Sequence, residues 1–225
     1  MKKVVISLGG SVMLPPGKVD TAFLKKFKEH ILPFTKTHII ILVTGGGNIA
    51  RIYIEALRDK PTALQSMMGI SITRLNAKFL YNFFNLPFPK LPHTLKDVEN
   101  LTKKHALVIC GALRYEPNQT SDGTAAEIAR YLKADCFINL TNVDGLYTKD
   151  PRLKGAKLIP EMSTQDFYNL AKKMTFHAGQ HFVLDTNAAK IINDKKIPTY
   201  IVGPDLDQLA NILKGKKFKG TLLRV

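Results

Sequence analysis

The sequence is poor in cysteine and has no long hydrophobic run, and each absence excludes a class of protein. Its two cysteines, Cys110 and Cys136, lack the spacing to partner residues that a zinc site requires. Both lie in apolar runs, which predicts that they are small core residues. No stretch approaches the about 20 apolar residues of a membrane-spanning helix, and the apolar part of the first residues is too short for a signal peptide. We therefore expect a soluble, cytoplasmic protein with no membrane partner.

Acidic residues are scarce relative to basic ones. The chain has 33 Lys and Arg against 18 Asp and Glu, which gives a formal net charge of +15 and a pI near 9.8. The excess is explained either by a lysine-rich solvated surface or by a polyanionic partner, such as nucleic acid or a small phosphorylated substrate. The basic residues are scattered, and no aromatic-rich RNA-binding signature accompanies them. Nucleic acid is therefore the weaker explanation.

Two common phosphate-binding signatures are also missing. The sequence contains no Gly-x-x-x-x-Gly-Lys-Ser/Thr motif, and no Gly-x-Gly-x-x-Gly motif follows a predicted strand. A nucleotide site in this chain must therefore be built from different turns.

Short β-branched runs alternate with longer helical patterns along the whole chain. This order is typical of βαβ units around a mostly parallel sheet, in the α/β class. The first five strands are nearly continuous apolar runs, which predicts helices on both faces of the sheet. No linker divides the chain. The predicted strands are 3–8, 38–43, 106–110, 135–140, 198–202 and 220–224, and the predicted helices are 20–33, 47–59, 63–85, 122–133, 163–173, 185–195 and 205–214. We expect Ser163 and Asp122 to cap two of these helices.

Three glycine-bearing turns follow predicted strands. Gly9-Gly10-Ser11 follows the first strand, and Gly45-Gly46-Gly47 follows the second and opens a helix that carries Arg51. Gly111 follows the third strand and begins a loop that ends at Thr120-Ser121-Asp122. Glycine lets backbone N–H groups approach phosphate oxygens, and a helix start with a nearby guanidinium attracts anions. Each turn is also explained as an ordinary tight turn, and Asp122 either orients a cation or only caps its helix.

Taken in order, these motifs resemble the amino acid kinase superfamily and, within it, the UMP kinases of the archaeal type. The resemblance runs from about residue 3 to residue 222, so it covers nearly the whole chain. It rests on Gly9-Gly10-Ser11, Gly45-Gly46-Gly47 with Ala50-Arg51, Gly69-Ile70 with Thr73-Arg74 and Asn76-Ala77, Thr120-Ser121-Asp122, Thr141-Asn142-Val143-Asp144-Gly145-Leu146-Tyr147 with Asp150-Pro151, and Ala188-Ala189-Lys190-Ile191-Ile192.

The resemblance implies a three-layer αβα sandwich, the amino acid kinase fold, in a single domain spanning 1–225. Within it, an acceptor-nucleotide lobe would cover about 1–134 and an ATP-binding lobe about 135–225. The implied activity is transfer of the γ-phosphoryl group of ATP to UMP, with Mg²⁺, by a homohexamer. By resemblance, ATP would contact Gly9, Gly10, Ser11, Gly46, Arg51, Thr141, Asn142, Tyr147 and Asp150, and UMP would contact Gly45, Ser66, Gly111 and Thr120.

Phosphoryl transfer to a phosphate oxygen that is already ionised needs positioning and charge stabilisation rather than a general base. No histidine is therefore assigned to catalysis, and His177 is interpreted as a turn residue. The residues that we expect to act on the transferred group are Arg51, Asp122 and Lys190. No residue is assigned as a direct metal ligand.

The sequence departs from the family pattern at two positions that face ligands. Ser66 stands where many members carry an acidic residue, and Ser7 stands where some relatives place a lysine. Arg74 is explained equally well by an ion pair and by a phosphate contact. Two other functions stay open: a superfamily kinase acting on a carboxylate, carbamate or isoprenoid phosphate, and a nucleotide- or RNA-binding relative without turnover.

Overall fold

Seven strands form one sheet at the centre of the computed structural model, which describes residues 1–87, 90–117, 119–173 and 183–225. The strands are β1 (Lys2–Leu8), β2 (His38–Thr44), β3 (Leu107–Cys110), β4 (Cys136–Leu140), β5 (Glu161–Ser163), β6 (Thr199–Val202) and β7 (Thr221–Arg224). Their order across the sheet is β3-β2-β1-β4-β6-β7-β5. Neighbouring strands are parallel except for β6 and β7, which are antiparallel. The predicted mostly parallel sheet is thereby confirmed.

Helices cover both faces of this sheet. One layer contains α1 (Gly10–Met13), α2 (Thr21–Ile31), a 3₁₀ helix (Leu32–Lys36), α3 (Gly47–Ala56), α4 (Thr62–Phe83) and α9 (Leu206–Leu213). The other layer contains α5 (Leu95–Thr102), α6 (Ser121–Leu132), α7 (Thr164–Lys172) and α8 (Thr186–Lys195). The three-layer αβα arrangement expected from the sequence is confirmed. No helix in the described ranges is long and apolar enough to cross a membrane.

The continuous apolar strands supply both hydrophobic cores. Val4 and Ile6 of β1 pack into the core beneath α2 and α4, whereas Val5 between them packs into the core beneath α6 and α8. Successive side chains of a strand point to opposite faces, so a strand covered on both faces must be apolar at every position. Cys110 is buried, Cys136 is half-buried, and both are free thiols.

All six predicted strands and all seven predicted helices are present, with ends shifted by one to three residues. Four short elements were not predicted: α1, the 3₁₀ helix, α5 and β5. The start of α5 carries a sequence signal, because Thr94 and Asp97 form a reciprocal capping box. By contrast, β5 has only three residues, two of them exposed, so it leaves no apolar pattern.

The two predicted helix caps have different outcomes. Ser163 caps α7 as expected, because its hydroxyl accepts a hydrogen bond from the Asp166 N–H at 3.0 Å. The prediction that Asp122 caps α6 is wrong. The N-cap is Thr120, whose hydroxyl accepts from the Asp122 N–H at 3.1 Å. The Asp122 carboxylate is therefore available for a contact elsewhere, which is described with the site below.

The strand order reverses between β1 and β4, and ligands of open α/β sheets bind in the crevice at such a point. The turns around this crevice are tied together by their backbones. Gly9 donates its N–H to the Leu140 carbonyl at the end of β4, at 2.8 Å, and Gly45 donates to the Leu8 carbonyl at 2.9 Å. A Cβ atom on Gly10 would lie 2.0 Å from the Gly47 nitrogen, so the turns after β1 and β2 touch backbone to backbone.

We predict that Gly10→Ala lowers the free energy of unfolding by about 3 kcal/mol, because the added methyl group must push the two turns apart. Gly69→Ala in α4 is the matched control. Its Cβ would meet only the Ile54 Cδ1 atom at 3.5 Å, an ordinary contact. The control should gain about 0.5–1 kcal/mol from helix propensity. Urea unfolding of both variants measures the difference, and equal stabilities would contradict this packing.

Candidate active site

A cavity of about 1170 Å³ opens at the carboxyl ends of β1, β2 and β4. Its walls come from the glycine turns after β1 and β2, the first helical turns of α3 and α6, and the polar segment that follows β4. Because parallel strands end at the same edge of the sheet, motifs far apart in the sequence meet here. The cavity therefore brings the glycine turns and the Thr120-Ser121-Asp122 motif into one site.

Thirteen of the fifteen residues assigned from the sequence line this cavity. They are Gly9, Gly10, Ser11, Gly45, Gly46, Arg51, Ser66, Thr120, Asp122, Thr141, Asn142, Tyr147 and Asp150. The two others, Gly111 and Lys190, lie outside the lining.

The structure corrects the roles of Gly111 and Lys190. A Cβ atom on Gly111 would lie 2.5 Å from the Arg74 nitrogen, so this glycine packs β3 against α4, and the next residue, Ala112, lines the cavity instead. Lys190 is exposed on α8 rather than at the site. It lies in the second turn of α8, whereas the cavity is bounded by Asp185 at the start of that helix.

The glycine turns also differ from expectation in which N–H groups they offer. Those of Gly9 and Gly45 are already bonded to strand carbonyls, so they hold the turns together rather than point at a ligand. The start of α3 offers further donors, because the first N–H groups of a helix have no partner within it. This helix start borders the cavity next to Arg51 and attracts anions.

Arg51 is half-buried in the cavity wall and has no hydrogen bond or ion pair within the described residues. Two other arginines of the lining are already engaged. Arg114 pairs with Glu127 at 3.0 Å, and Arg152 pairs with Asp150 at 2.7 Å. The guanidinium of Arg51 is therefore ready to pair with an anionic ligand.

The Asp122 carboxylate lies at the base of the cavity and accepts a hydrogen bond from the Ser7 hydroxyl at 2.5 Å. The pKa of Asp122 is raised to about 7, mainly by desolvation; the Ser7 hydrogen bond lowers this pKa, and the nearby carboxylate of Asp185 raises it. The role of Ser7 at this position is to donate a hydrogen bond to the Asp122 carboxylate. The hydroxyl is a neutral donor, and Asp122 has no ion pair with another side chain in the described ranges.

Asp185 is the site residue that sequence reasoning missed. One of its oxygens accepts from the Thr120 N–H at 2.9 Å, the Thr120 hydroxyl at 2.6 Å and the Gly123 N–H at 3.0 Å. The other oxygen accepts from the Ala188 N–H at 2.7 Å and so caps α8. Burial raises the pKa of this carboxyl. The sequence carries part of the signal, since an aspartate at the first position of a predicted helix is a typical cap.

The segment after β4 contributes an aromatic and a polar wall. Tyr147 lines the cavity, and its hydroxyl lies 3.5 Å from Asp144, which pairs with Lys219 at 2.6 Å. Asp150 accepts two hydrogen bonds from the Arg152 guanidinium, which lowers the pKa of this carboxyl to about 2. Asp150 is thus a stably ionised acceptor at the rim, already shared with an arginine.

The structure also answers the question about Arg74. Its guanidinium donates to the carbonyls of Ala112 at 3.0 Å and Leu113 at 2.5 Å. The side chain therefore holds the loop that follows β3, and it makes no ion pair with another described residue of this chain. His177 lies outside the described residues.

The described residues do not form a metal site from protein side chains alone. No group of three or more His, Cys, Asp or Glu side chains within the described ranges could hold a metal ion. Neither Asp122 nor Asp185 pairs with a cation among the described residues, but Asp185 accepts four hydrogen bonds and Asp122 accepts only one, whereas Asp150 is paired with Arg152.

The comparisons with known proteins agree with this geometry. The sequence profile of the amino acid kinase family matches residues 2–203. The chain is 34% identical to a uridylate kinase of Archaeoglobus fulgidus over 95% of this chain and 96% of the relative. It is 33% identical to a uridylate kinase of Methanococcus aeolicus over 98% of this chain and 99% of the relative. A crystal structure of uridylate kinase from Archaeoglobus fulgidus superposes with a TM-score of 0.85 and 34% identity, covering 99% of this chain and 100% of that chain.

The raised pKa of Asp122 predicts a specific dependence of stability on pH. The folded protein keeps the proton up to about pH 7, whereas the unfolded chain loses it near the ordinary value of 3.8. The contribution of Asp122 to the free energy of unfolding therefore falls as the pH rises between these two values. We expect Asp122→Asn to remove that decline.

Chemical unfolding at a series of pH values across this window measures the effect. Asp59→Asn is the control, because this exposed carboxylate pairs only with its neighbour Lys60. The control should reproduce the slope of the unsubstituted protein. If Asp122→Asn also reproduced it, Asp122 would not hold a raised pKa.

Proposed function

This chain belongs to the amino acid kinase family, and we propose that it is a UMP kinase, which transfers the γ-phosphoryl group of ATP to UMP and forms UDP. Relatives that bear the name uridylate kinase cover nearly the whole chain at about one-third identity, which supports this proposal. The reaction places the protein in the synthesis of pyrimidine nucleotides, in the cytoplasm.

One observation carries the proposal: the glycine turns and the start of α3 from the first half of the chain, and the polar segment after β4 from the second half, line a single large cavity. Pockets for single small ligands measure about 300–1,000 Å³, so a cavity of about 1170 Å³ has room for a donor and an acceptor nucleotide end to end. The β1–β4 junction lies between the two halves. The ATP end would lie along Thr141, Asn142, Tyr147 and Asp150, and the UMP end along Gly45, Ser66 and the loop after β3.

The chemistry requires alignment and charge stabilisation. Phosphoryl transfer passes through a loose transition state, in which charge spreads over the oxygens of the transferred group. The start of α3 would supply N–H donors to these oxygens, and Arg51 would supply the guanidinium. Both line the cavity that would hold the two nucleotides.

Mg²⁺ fits this site through Asp122. In phosphoryl-transfer enzymes Mg²⁺ is held by one or two carboxylates together with substrate phosphates, and Asp122 is a cavity carboxylate without a cationic partner. When bound, Mg²⁺ would neutralise charge on the donor phosphates. Asp122 would be ionised in that state, and the Ser7 hydroxyl would hold its orientation.

The protein would work as a homo-oligomer, and a hexamer is implied by the resemblance. The outer faces of α3 and α4 expose large apolar side chains, which supports burial of this surface against another copy. These side chains are Ile49, Ile52, Tyr53, Leu64, Met67 and Leu75.

We expect Ile52→Asp to lower the assembly mass measured by light scattering. Two results would contradict an interface here: the same assembly mass for Ile52→Asp and the unsubstituted protein, or a monomeric mass for the unsubstituted protein.

A coupled assay for ADP release tests the proposed activity. Purified protein with ATP and Mg²⁺ should turn over UMP but not amino acid carboxylates, carbamate or isoprenoid phosphates. Chromatography should identify UDP as the second product. Turnover of one of the other acceptors with none of UMP would assign a different kinase activity, and salt-dependent RNA binding without phosphoryl transfer would assign a binding protein.

We predict that Arg51→Ala lowers kcat by about a hundredfold while the KM for UMP changes by less than about threefold, because the guanidinium stabilises charge that moves in the transition state. Arg58→Ala is the control. This arginine follows the same helix but is exposed and pairs with Glu55. Equal kcat values for Arg51→Ala and the unsubstituted protein would remove Arg51 from the mechanism.

A further inference from the structure

The loop from Ala112 to Gln119 borders the cavity and is held at both ends by helices, with Asn118 outside the described residues. Arg74 on α4 holds its first two carbonyls. Asn187 on α8 donates to the Pro117 carbonyl at 3.1 Å. These bonds fix where the loop begins and ends, but they do not place the side chains between those points.

Glu127 on α6 contacts two side chains of the loop, Arg114 and Gln119. This carboxylate is buried, with 7% of the residue exposed, which is uncommon for glutamate. One oxygen accepts from the Arg114 guanidinium at 3.0 Å, and the other lies 3.4 Å from the Gln119 amide nitrogen. Glu127 therefore joins two residues that lie five positions apart in the loop.

The contact with Gln119 depends on a glycine in the first turn of α6. A Cβ atom on Gly123 would lie 2.4 Å from the Gln119 Cγ atom, so the glutamine side chain crosses the helix where a larger residue would block it. Its amide also lies 3.5 Å from the Thr124 hydroxyl. Gly123, Thr124 and Glu127 thus form one surface that receives this part of the loop.

The charges indicate that Arg114 organises the loop rather than binding phosphate. Besides Glu127, it pairs with Glu116 at 2.9 Å, so two carboxylates neutralise one guanidinium. Arg51 has no such partner among the described residues. Arg114, Tyr115 and Gln119 nevertheless line the cavity, and Glu127 contacts two of the three.

We propose that Glu127 is a positioning residue that holds the loop from Ala112 to Gln119 in the shape that receives the acceptor nucleotide. This role rests on the proposed kinase function, because it assigns the loop to the acceptor end. Without the carboxylate, Arg114 and Gln119 lose their shared anchor. The loop must then be ordered when the acceptor binds, which weakens acceptor binding. The ATP end lies on the other side of the cavity and keeps its affinity.

Steady-state kinetics with Glu127→Gln test this role. The amide preserves the shape of the side chain but removes its charge. We expect the KM for UMP to rise about tenfold while the KM for ATP stays within about twofold, the size of one lost charged hydrogen bond. Arg114→Ala removes the same contact from a half-exposed position and should reproduce this pattern even if Glu127→Gln folds poorly.

Glu99→Gln on α5 is the matched control. Glu99 pairs with Lys96 at 2.7 Å but does not line the cavity. It should leave both KM values unchanged. Unchanged KM values in Glu127→Gln and Arg114→Ala would overturn the proposal, as would equal increases in both KM values together with a lower melting temperature.

A second readout does not depend on turnover. The chain has no tryptophan, so Tyr115→Trp places a single fluorescent reporter in the loop. Adding Glu127→Gln should increase acrylamide quenching of this tryptophan about twofold, because the loop opens more often. Increased quenching in a protein that never phosphorylates UMP would reject the kinase function but keep the anchor. Unchanged quenching would overturn the anchor itself.

Discussion

The close backbone contact between the turns after β1 and β2 is the constraint on which the site depends. Gly10 and Gly47 meet where no side chain fits, while Gly9 and Gly45 bond to carbonyls at the ends of β4 and β1. These contacts bring three strand ends together at the point where the strand order reverses. The start of α3 can then face the polar segment after β4 across a single cavity. The glycines therefore act first on the packing of the turns and only through it on a ligand.

Two carboxylates of the cavity lining, the buried Asp185 and the half-buried Asp122, differ in how many hydrogen bonds they accept. Asp185 accepts four hydrogen bonds and fastens the start of α6 to the start of α8. Asp122 accepts one hydrogen bond, from Ser7, and has no cation beside it in the described residues. A desolvated carboxyl without a cation holds its proton to a higher pH, which is why the pKa of Asp122 is raised. One carboxylate thus builds the site, and the other is available for chemistry.

The sequence predicted most of the fold because each strand and long helix carries its own periodic pattern. Buried strands such as β1 and β2 are apolar throughout, and α7 has its Ser163 cap. Assignments failed where a role depended on what lies opposite a residue. Gly111 and Lys190 were placed at the site from their motifs but lie outside the cavity lining, and the cap of α6 is Thr120 instead of Asp122, which does line the cavity. The hydrogen bonds of Arg74 to two backbone carbonyls likewise depend on the loop that lies opposite it.

By itself, the sequence determined the αβα class, the order of nearly every element and the group of turns that would meet at one edge of the sheet. Those properties follow from local patterns and from the rule that parallel strands end at a common edge. Only the tertiary structure decided which N–H groups are free, which arginine lacks a partner, and that Asp185 and Glu127 hold the loops around the cavity. Hydrogen bonds and desolvation depend on residues 60 or more positions apart as readily as on neighbours, as in the 65-residue separation of Thr120 and Asp185, and no local pattern records such a pairing.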